Sequence, residues 1–517
     1  MRHSSIRPLA LLVLFLAAPA GFAAEGARLR SFDATTVTPW EVAREARGSA
    51  TGALLRIAGL RGAAGEALTF DLESAPLFAA DFHLYVDGRD QGAGAAARLT
   101  FLRGTVAEWP GSSVALTLDG STGAWNGYLV AGDQLYELTA PAVDARRPLA
   151  EAAVVRPAGM EPPLGNTLTD VLEPPRGSNR EIDLGQSKIV LAPGAQYQAT
   201  IAIDSDYEFF QLMGKNEERA TSYVGEVMAA VSELYFRQLG VSLTVSSFFL
   251  YTTPDDPWNA PNPHSGATAD VLCEFGRYWQ ANRPVQSFPR NGAVFLTGKA
   301  SSDIGGQAWR SSLCNYGAPP ASCPFGGYGI VVISQRVLRD SYVTAHELGH
   351  VFGSRHTHCY NPPIDECHTG EAGCFNGPES TPPDGGSVMS YCLPFTLSMG
   401  EPGRFGVDSE RVVQVIRNFV DVVGPTCLTR TGDPYTLAGT PGTGSVKLSW
   451  RDPFSTETNW LVEQLVNGKY KQVKSLPANA TGVTLTKLKR GPTTFRVRAK
   501  FKKDFSDYSD AVMVTVL

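Results

Sequence analysis

The chain has 517 residues, 43% of them hydrophobic and 19% charged, with a formal net charge of −6. This is ordinary soluble globular composition, and it excludes a disordered or fibrous chain. Residues 430–517 hold 14 Lys and Arg against 7 Asp and Glu, which leaves −13 for residues 1–429, a balance that speaks against nucleic-acid binding by the whole chain.

In chain order, Arg2 and Arg7 precede an apolar run at 9–18, followed by Pro19, Gly21 and Ala23. A run of ten residues is too short to span a bilayer, which needs about 18. The pattern predicts a secretory signal peptide over 1–23. Export to an oxidising space makes the eight cysteines, all at or after Cys273, read as disulfides, with a cysteine-rich metal site as the alternative for Cys359, Cys367 and Cys374.

Residues 24–140 alternate like short strands at 67–72, 82–86, 113–118 and 134–138, so an all-β unit is expected there. Residues 141–194 carry eight prolines and read as a linker. From 195 to 429 strands at 198–203, 241–251, 292–297 and 329–334 alternate with helices at 217–239 and 408–420, which predicts an α/β or α+β domain. Asn216 can cap the first helix and Gly240 can end it. Residues 430–517 return to short strands at 445–450, 459–465, 482–485, 493–501 and 511–516, as in an all-β sandwich.

The segment His346-Glu347-Leu348-Gly349-His350-Val351-Phe352-Gly353-Ser354-Arg355-His356 follows the fourth strand of the α/β region, with Asp340 or Ser341 available to cap its helix. On a helix His346 and His350 share a face one turn apart and can bind one cation. Gly353 permits a sharp break that returns His356 as a third ligand. Three neutral histidines leave a fourth position open, the layout of a catalytic zinc site, whereas structural sites are closed by four protein ligands. Chance supplies this pattern with a probability on the order of 10⁻⁵ per chain.

With Ser387-Val388-Met389-Ser390-Tyr391-Cys392 as a Met-turn, the motif resembles that of the metzincin metallopeptidases. Within them the chain is most similar to the adamalysin, or reprolysin, family. The residues that carry this are Asp204-Ser205-Asp206-Tyr207-Glu208-Phe209-Phe210, then Ala293-Val294-Phe295-Leu296-Thr297-Gly298 with Gly306-Gln307-Ala308-Trp309 and Cys314, and the zinc helix with His358-Cys359 after it. The likeness covers about 197–427. Phe101-Leu102-Arg103-Gly104, Pro110-Gly111-Ser112, Gly127 and Tyr136 resemble the end of a reprolysin propeptide, and Trp450 with Phe495-Arg496-Val497-Arg498-Ala499 resembles a fibronectin type III module.

The resemblance implies a metzincin catalytic domain flanked by an all-β prodomain and a fibronectin-like sandwich. The implied protein is a secreted, monomeric zinc endopeptidase, made as a zymogen and acting on extracellular protein. In it His346, His350 and His356 are the zinc ligands, and Glu347 is the general base toward a metal-activated water. Met389 would form an apolar floor, and Cys314 and Cys427 would pair. Alternatives are a zinc-fold adhesion protein without catalysis and a zinc amidase acting on cell-wall peptides. No loop motif for calcium is present, although many secreted metzincins bind it. The basic C-terminal unit is suited to anionic glycan or cell-surface contact, or to a solvated face.

The sequence also departs from the family. Thr357 stands where most adamalysins have Asp, and residues 24–272 contain no cysteine to silence zinc, so latency must use another ligand or occlusion. Tyr391 matches a switchable zinc-ligating tyrosine of other metzincins, a role not expected in reprolysin-like enzymes, and His358 is expected at the surface. Arg146-Arg147, Arg176 and Arg180 are candidate sites for removal of the leader.

Overall fold

The structure, a computed structural model, describes residues 29–48, 54–132, 134–158, 170–174, 196–260, 270–301, 304–316, 322–432, 437–450, 457–466, 468–478, 480–500, 505, 508–509 and 511–517. The expected signal peptide lies outside them, as do Arg176 and Arg180.

The first region contains β1 (Leu29–Asp33), α1 (Pro39–Gly48), β2 (Leu54–Arg61), β3 (Ala67–Ser74), β4 (Phe78–Val86), β5 (Arg89–Asp90), β6 (Leu99–Val106), β7 (Ser113–Asp119), β8 (Trp125–Ala131), β9 (Gln134–Ala140), α2 (Leu149–Ala152) and β10 (Val154–Pro157). Eight strands form one sheet in the order β1-β2-β3-β6-β7-β8-β9-β10. Alternation sets its inner face: Leu68, Phe70 and Leu72 of β3 are buried while the residues between them are not. Trp125 is fully buried there and its indole N–H donates to the Pro39 carbonyl at 3.1 Å. The proline-rich stretch is not wholly a linker, because it forms the short helix α2 and then continues the first sheet as β10 against β9.

The middle region contains β11 (Val171–Leu172), β12 (Gln196–Ser205), α3 (Tyr207–Leu212), α4 (Glu217–Leu239), β13 (Val241–Leu250), α5 (Asp270–Asn282), β14 (Gly292–Thr297), β15 (Gly306–Trp309), β16 (Tyr328–Val332), α6 (Val337–Val351), α7 (Arg411–Cys427) and β17 (Thr429–Gly432). Its sheet runs β11-β15-β16-β14-β12-β13-β4-β5, with β17 on β12. β12, β13, β14 and β16 are mutually parallel, and β15 runs antiparallel to β16. Every residue of β14 is buried, as expected of a parallel strand covered on both faces. Asn216 accepts from the Arg219 amide at the start of α4, and Gly240 ends that helix in the left-handed conformation. The last helix is displaced from its expected span, starting at Arg411 and continuing to Cys427.

β4 pairs parallel with β13 and so leaves its neighbours in sequence for the second sheet. Its Phe82, Leu84 and Val86 enter the same core cluster as Val224, Val245, Leu348 and Met389. Period-two alternation says that a strand has a buried face, not which sheet it joins.

The last region holds β18 (Ala438–Gly442), β19 (Ser445–Ser449), β20 (Asn459–Val466), β21 (Lys469–Pro477), β22 (Gly482–Thr486), β23 (Gly491–Lys500) and β24 (Val512–Val516). They form a three-stranded sheet, β18-β19-β22, and a four-stranded sheet, β21-β20-β23-β24, around Trp450 and Trp460, whose rings lie 5.6 Å apart. No described helix is long and apolar enough to cross a membrane.

Candidate metal centre

α6 carries the histidine motif through the centre of the middle region, and nearly all of it is buried. Its start departs from the expectation. Arg336 occupies the N-cap and its side chain does not cap the helix, while Asp340, one turn inside, accepts from the Ser334 amide and hydroxyl and from the Tyr223 hydroxyl. Farther along, the Tyr235 hydroxyl donates to the Ala345 carbonyl at 2.9 Å, tying α6 to α4 just before the motif.

The helix breaks at Gly353, whose φ of 103° favours glycine, and the chain turns back to His356. The Nε2 atom of His350 then lies 3.1 Å from Nε2 of His346 and 3.1 Å from Nε2 of His356. Each ring is oriented through its other nitrogen. His346 Nδ1 faces the Val388 carbonyl at 2.6 Å, His350 Nδ1 the Ser354 carbonyl at 3.0 Å, and His356 Nδ1 the Glu371 carboxylate at 2.8 Å. With a proton on each Nδ1, three Nε2 lone pairs converge in a buried space, an arrangement that asks for a cation. Burial pushes His350 down to about 4, which keeps that imidazole neutral.

Glu347 is fully buried, and neither of its carboxylate oxygens has a hydrogen-bond partner among the described residues. Burial first, and the nearby Asp170 charge second, push its carboxyl well above the usual range. It lies against Gly306 of β15, where an added Cβ would come within 2.4 Å of Oε1. Below the histidines, a Cβ on Gly349 would meet Met389 Sδ at 2.3 Å, so the Met-turn is packed directly under the helix. Thr357 fastens that turn, its amide and hydroxyl donating to the Met389 carbonyl at 3.0 and 3.2 Å.

Three other residues converge on the site. Asp170 joins the three histidines in one cluster of potential metal-binding groups. The Tyr391 hydroxyl lies 3.0 Å from His356 Nε2. His358 is fully buried rather than at the surface, because its Nε2 meets the same Glu371 oxygen, at 3.0 Å, that orients His356. Although burial opposes it, His356 and His358 hold the Glu371 carboxyl well below its usual range. Sequence spacing gave no sign of Asp170 or Glu371, since neither lies in the motif.

All eight cysteines are paired, as Cys273–Cys323, Cys314–Cys427, Cys359–Cys374 and Cys367–Cys392. The expected pair 314–427 is present, and Cys359, Cys367 and Cys374 are in disulfides rather than a second zinc site. Cys359–Cys374 closes the loop bearing Glu371, and Cys367–Cys392 anchors the end of the Met-turn.

The buried donor set of Asp170, His346, His350 and His356 could hold a metal ion. Residues 195–399 match the family model Reprolysin_5, described as metallo-peptidase family M12. The match supports a metallopeptidase, with zinc as the implied metal and protein or peptide as the implied substrate. No curated protein matches the chain. Among solved structures, the chain is similar to FN3tt at 17% identity, over 16% of this chain and 87% of that one, with a TM-score of 0.14. Pectate lyase PelI from Erwinia chrysanthemi matches at 14% identity, over 16% and 27%, with a TM-score of 0.14. A beta-1,2-glucanase from Parabacteroides distasonis matches at 13% identity, over 17% and 14%, with a TM-score of 0.15.

Proposed function

We propose that the chain is a secreted zinc endopeptidase made as a zymogen, in which His346, His350 and His356 hold one zinc and Glu347 moves the proton. The observation that carries this reading is the convergence of three Nε2 atoms whose partner nitrogens are already committed to Val388, Ser354 and Glu371. Zinc in such a site lowers the pKa of water toward about 7 and polarises a carbonyl.

The remaining work falls to the chain. Glu347, buried and with no hydrogen-bond partner for its carboxylate among the described residues, accepts a proton from water and returns it to the departing amide nitrogen. Met389 and Gly349 fix the floor on which the imidazoles sit. An extended substrate can align along the edge of β15, whose strand passes beside Glu347.

In the same reading, 1–23 is the signal peptide, 24–140 the β-rich prodomain, 141–194 the linker, 195–429 the catalytic domain and 430–517 a fibronectin type III-like module. Support for export comes from four disulfides, which persist in oxidising compartments. The module's support is its two stacked antiparallel sheets.

The test is hydrolysis of unfolded protein by the processed chain, with and without Glu347→Ala. Loss of a general base is expected to reduce the rate by about 10²–10⁴-fold. Equal rates in the two chains, or no hydrolysis by a processed chain that holds zinc, would refute the reading.

A further inference from the structure

We propose that Asp170 is the fourth ligand of the metal centre in the uncleaved chain, so that a carboxylate from the leader closes the site. This inference rests on the three-histidine reading above and adds to it the residue that silences it.

The geometry is specific. Asp170 Oδ1 lies 2.6 Å from His356 Nε2 and 3.6 Å from His350 Nε2, and Oδ2 lies 3.4 Å from His346 Nε2. The residue is 8% exposed, and Oδ1 makes no hydrogen bond of ordinary geometry. A buried carboxylate whose two oxygens face three imidazole lone pairs is unfavourable unless a cation lies among them. Aspartate oxygen is an ordinary zinc ligand, and three histidines plus one carboxylate make a closed four-coordinate set in place of an open one.

The backbone holds that carboxylate in position. β11 pairs parallel with β15, with Val171 opposite Ala308 and Leu172 opposite Trp309. The Ala308 amide donates to the Asp170 carbonyl at 3.0 Å, and the Arg310 amide donates to the Leu172 carbonyl at 2.9 Å. Glu173 then receives the Arg310 guanidinium, with Nε to Oε1 at 2.8 Å. One short segment therefore fills the open corner of the metal and covers the strand edge that a substrate would use. Residues 24–272 contain no cysteine, so a thiolate is not available for this task.

Release follows from chain order. Arg176 and Arg180 lie between Asp170 and the start of β12. Hydrolysis of one peptide bond there severs Asp170 from the catalytic strands in the chain, leaving it held by the pairing of β11 with β15, the Arg310–Glu173 contact and the packing of the leader itself.

The experiment uses the full chain carrying Glu347→Ala, which prevents self-cleavage, with cobalt in place of zinc and azide as a small anionic ligand. Visible absorption is followed during azide titration of this chain and of the same chain with Asp170→Asn or Asp170→Ala; the Asn variant keeps the shape if the Ala variant does not fold. If Asp170 occupies the site nine-tenths of the time or more, the Asp170 variants should respond at about tenfold lower azide than the parent. Retention of cobalt by the parent with loss from both variants would likewise assign Asp170 as a ligand. An identical azide response in all three chains would overturn the inference and leave the three-histidine reading intact. Absence of cobalt from the parent itself would overturn both.

Discussion

The two all-β flanks meet the middle of the molecule in different ways. The first gives up β4 and β5 to the central sheet, lays β6, β7 and β8 on α4, and shares a core cluster with the residues under the metal centre. The last keeps its own core around Trp450, Trp460, Phe495 and Val497, and is joined to the centre through β17, which pairs with β12. A flank that contributes strands to a sheet is part of that sheet's stability, whereas a flank with a separate core can unfold alone. The first is therefore built into the middle region, and the last is appended to it.

Core truncation should break this comparison most clearly. Phe82→Ala removes a ring of β4 that is buried among middle-region residues, and it should cost about 3–5 kcal/mol in the unfolding of the middle region. Trp460→Ala should cost a similar amount, about 3–5 kcal/mol, but only in the transition of the last region. Calorimetry of the full chain separates them. If Phe82→Ala leaves the transition of the middle region in place, β4 is not integral to it.

A smaller effect concerns pH. Glu226 and Glu233 on α4 are half-buried where the first sheet packs, Glu226 bonded by the Asn126 amide at 2.9 Å and Glu233 near Arg103. Burial raises each carboxyl to about 7 from an ordinary 4.5. Because the folded value is the higher one, the stability these groups contribute is fully present below about 4.5 and is lost as pH rises through about 7. Denaturation midpoints should fall between pH 5 and pH 8, and Glu226→Gln should flatten part of that fall. An unchanged slope in Glu226→Gln would show that Glu226 is not a source of it. Smallest of all, Arg156→Ala removes an exposed pair with Glu137 and should change stability by less than about 1 kcal/mol, measured in the same denaturation series.

The centre of the site was readable because its parts are contiguous. Two histidines one turn apart are constrained by helix geometry, the glycine and third histidine just after the helix complete a short pattern, and the Met-turn has its own. What escaped was set by distant contacts. Asp170 is one acid in a proline-rich stretch, and nothing local marks its approach to three histidines. His358 looked like a surface residue because its partner Glu371 sits across a disulfide-closed loop. β4 read correctly as a strand but lay in another sheet, since alternation carries no record of the neighbour it will choose.

The most direct measurement of the central claim is the zinc content of the purified chain beside that of His350→Ala, determined by elemental mass spectrometry. The account predicts one zinc per wild-type chain and loss of most of it in the variant, because His350 lies between the other two imidazoles. A wild-type chain without zinc, or a folded His350→Ala chain that retains it fully, would contradict the account.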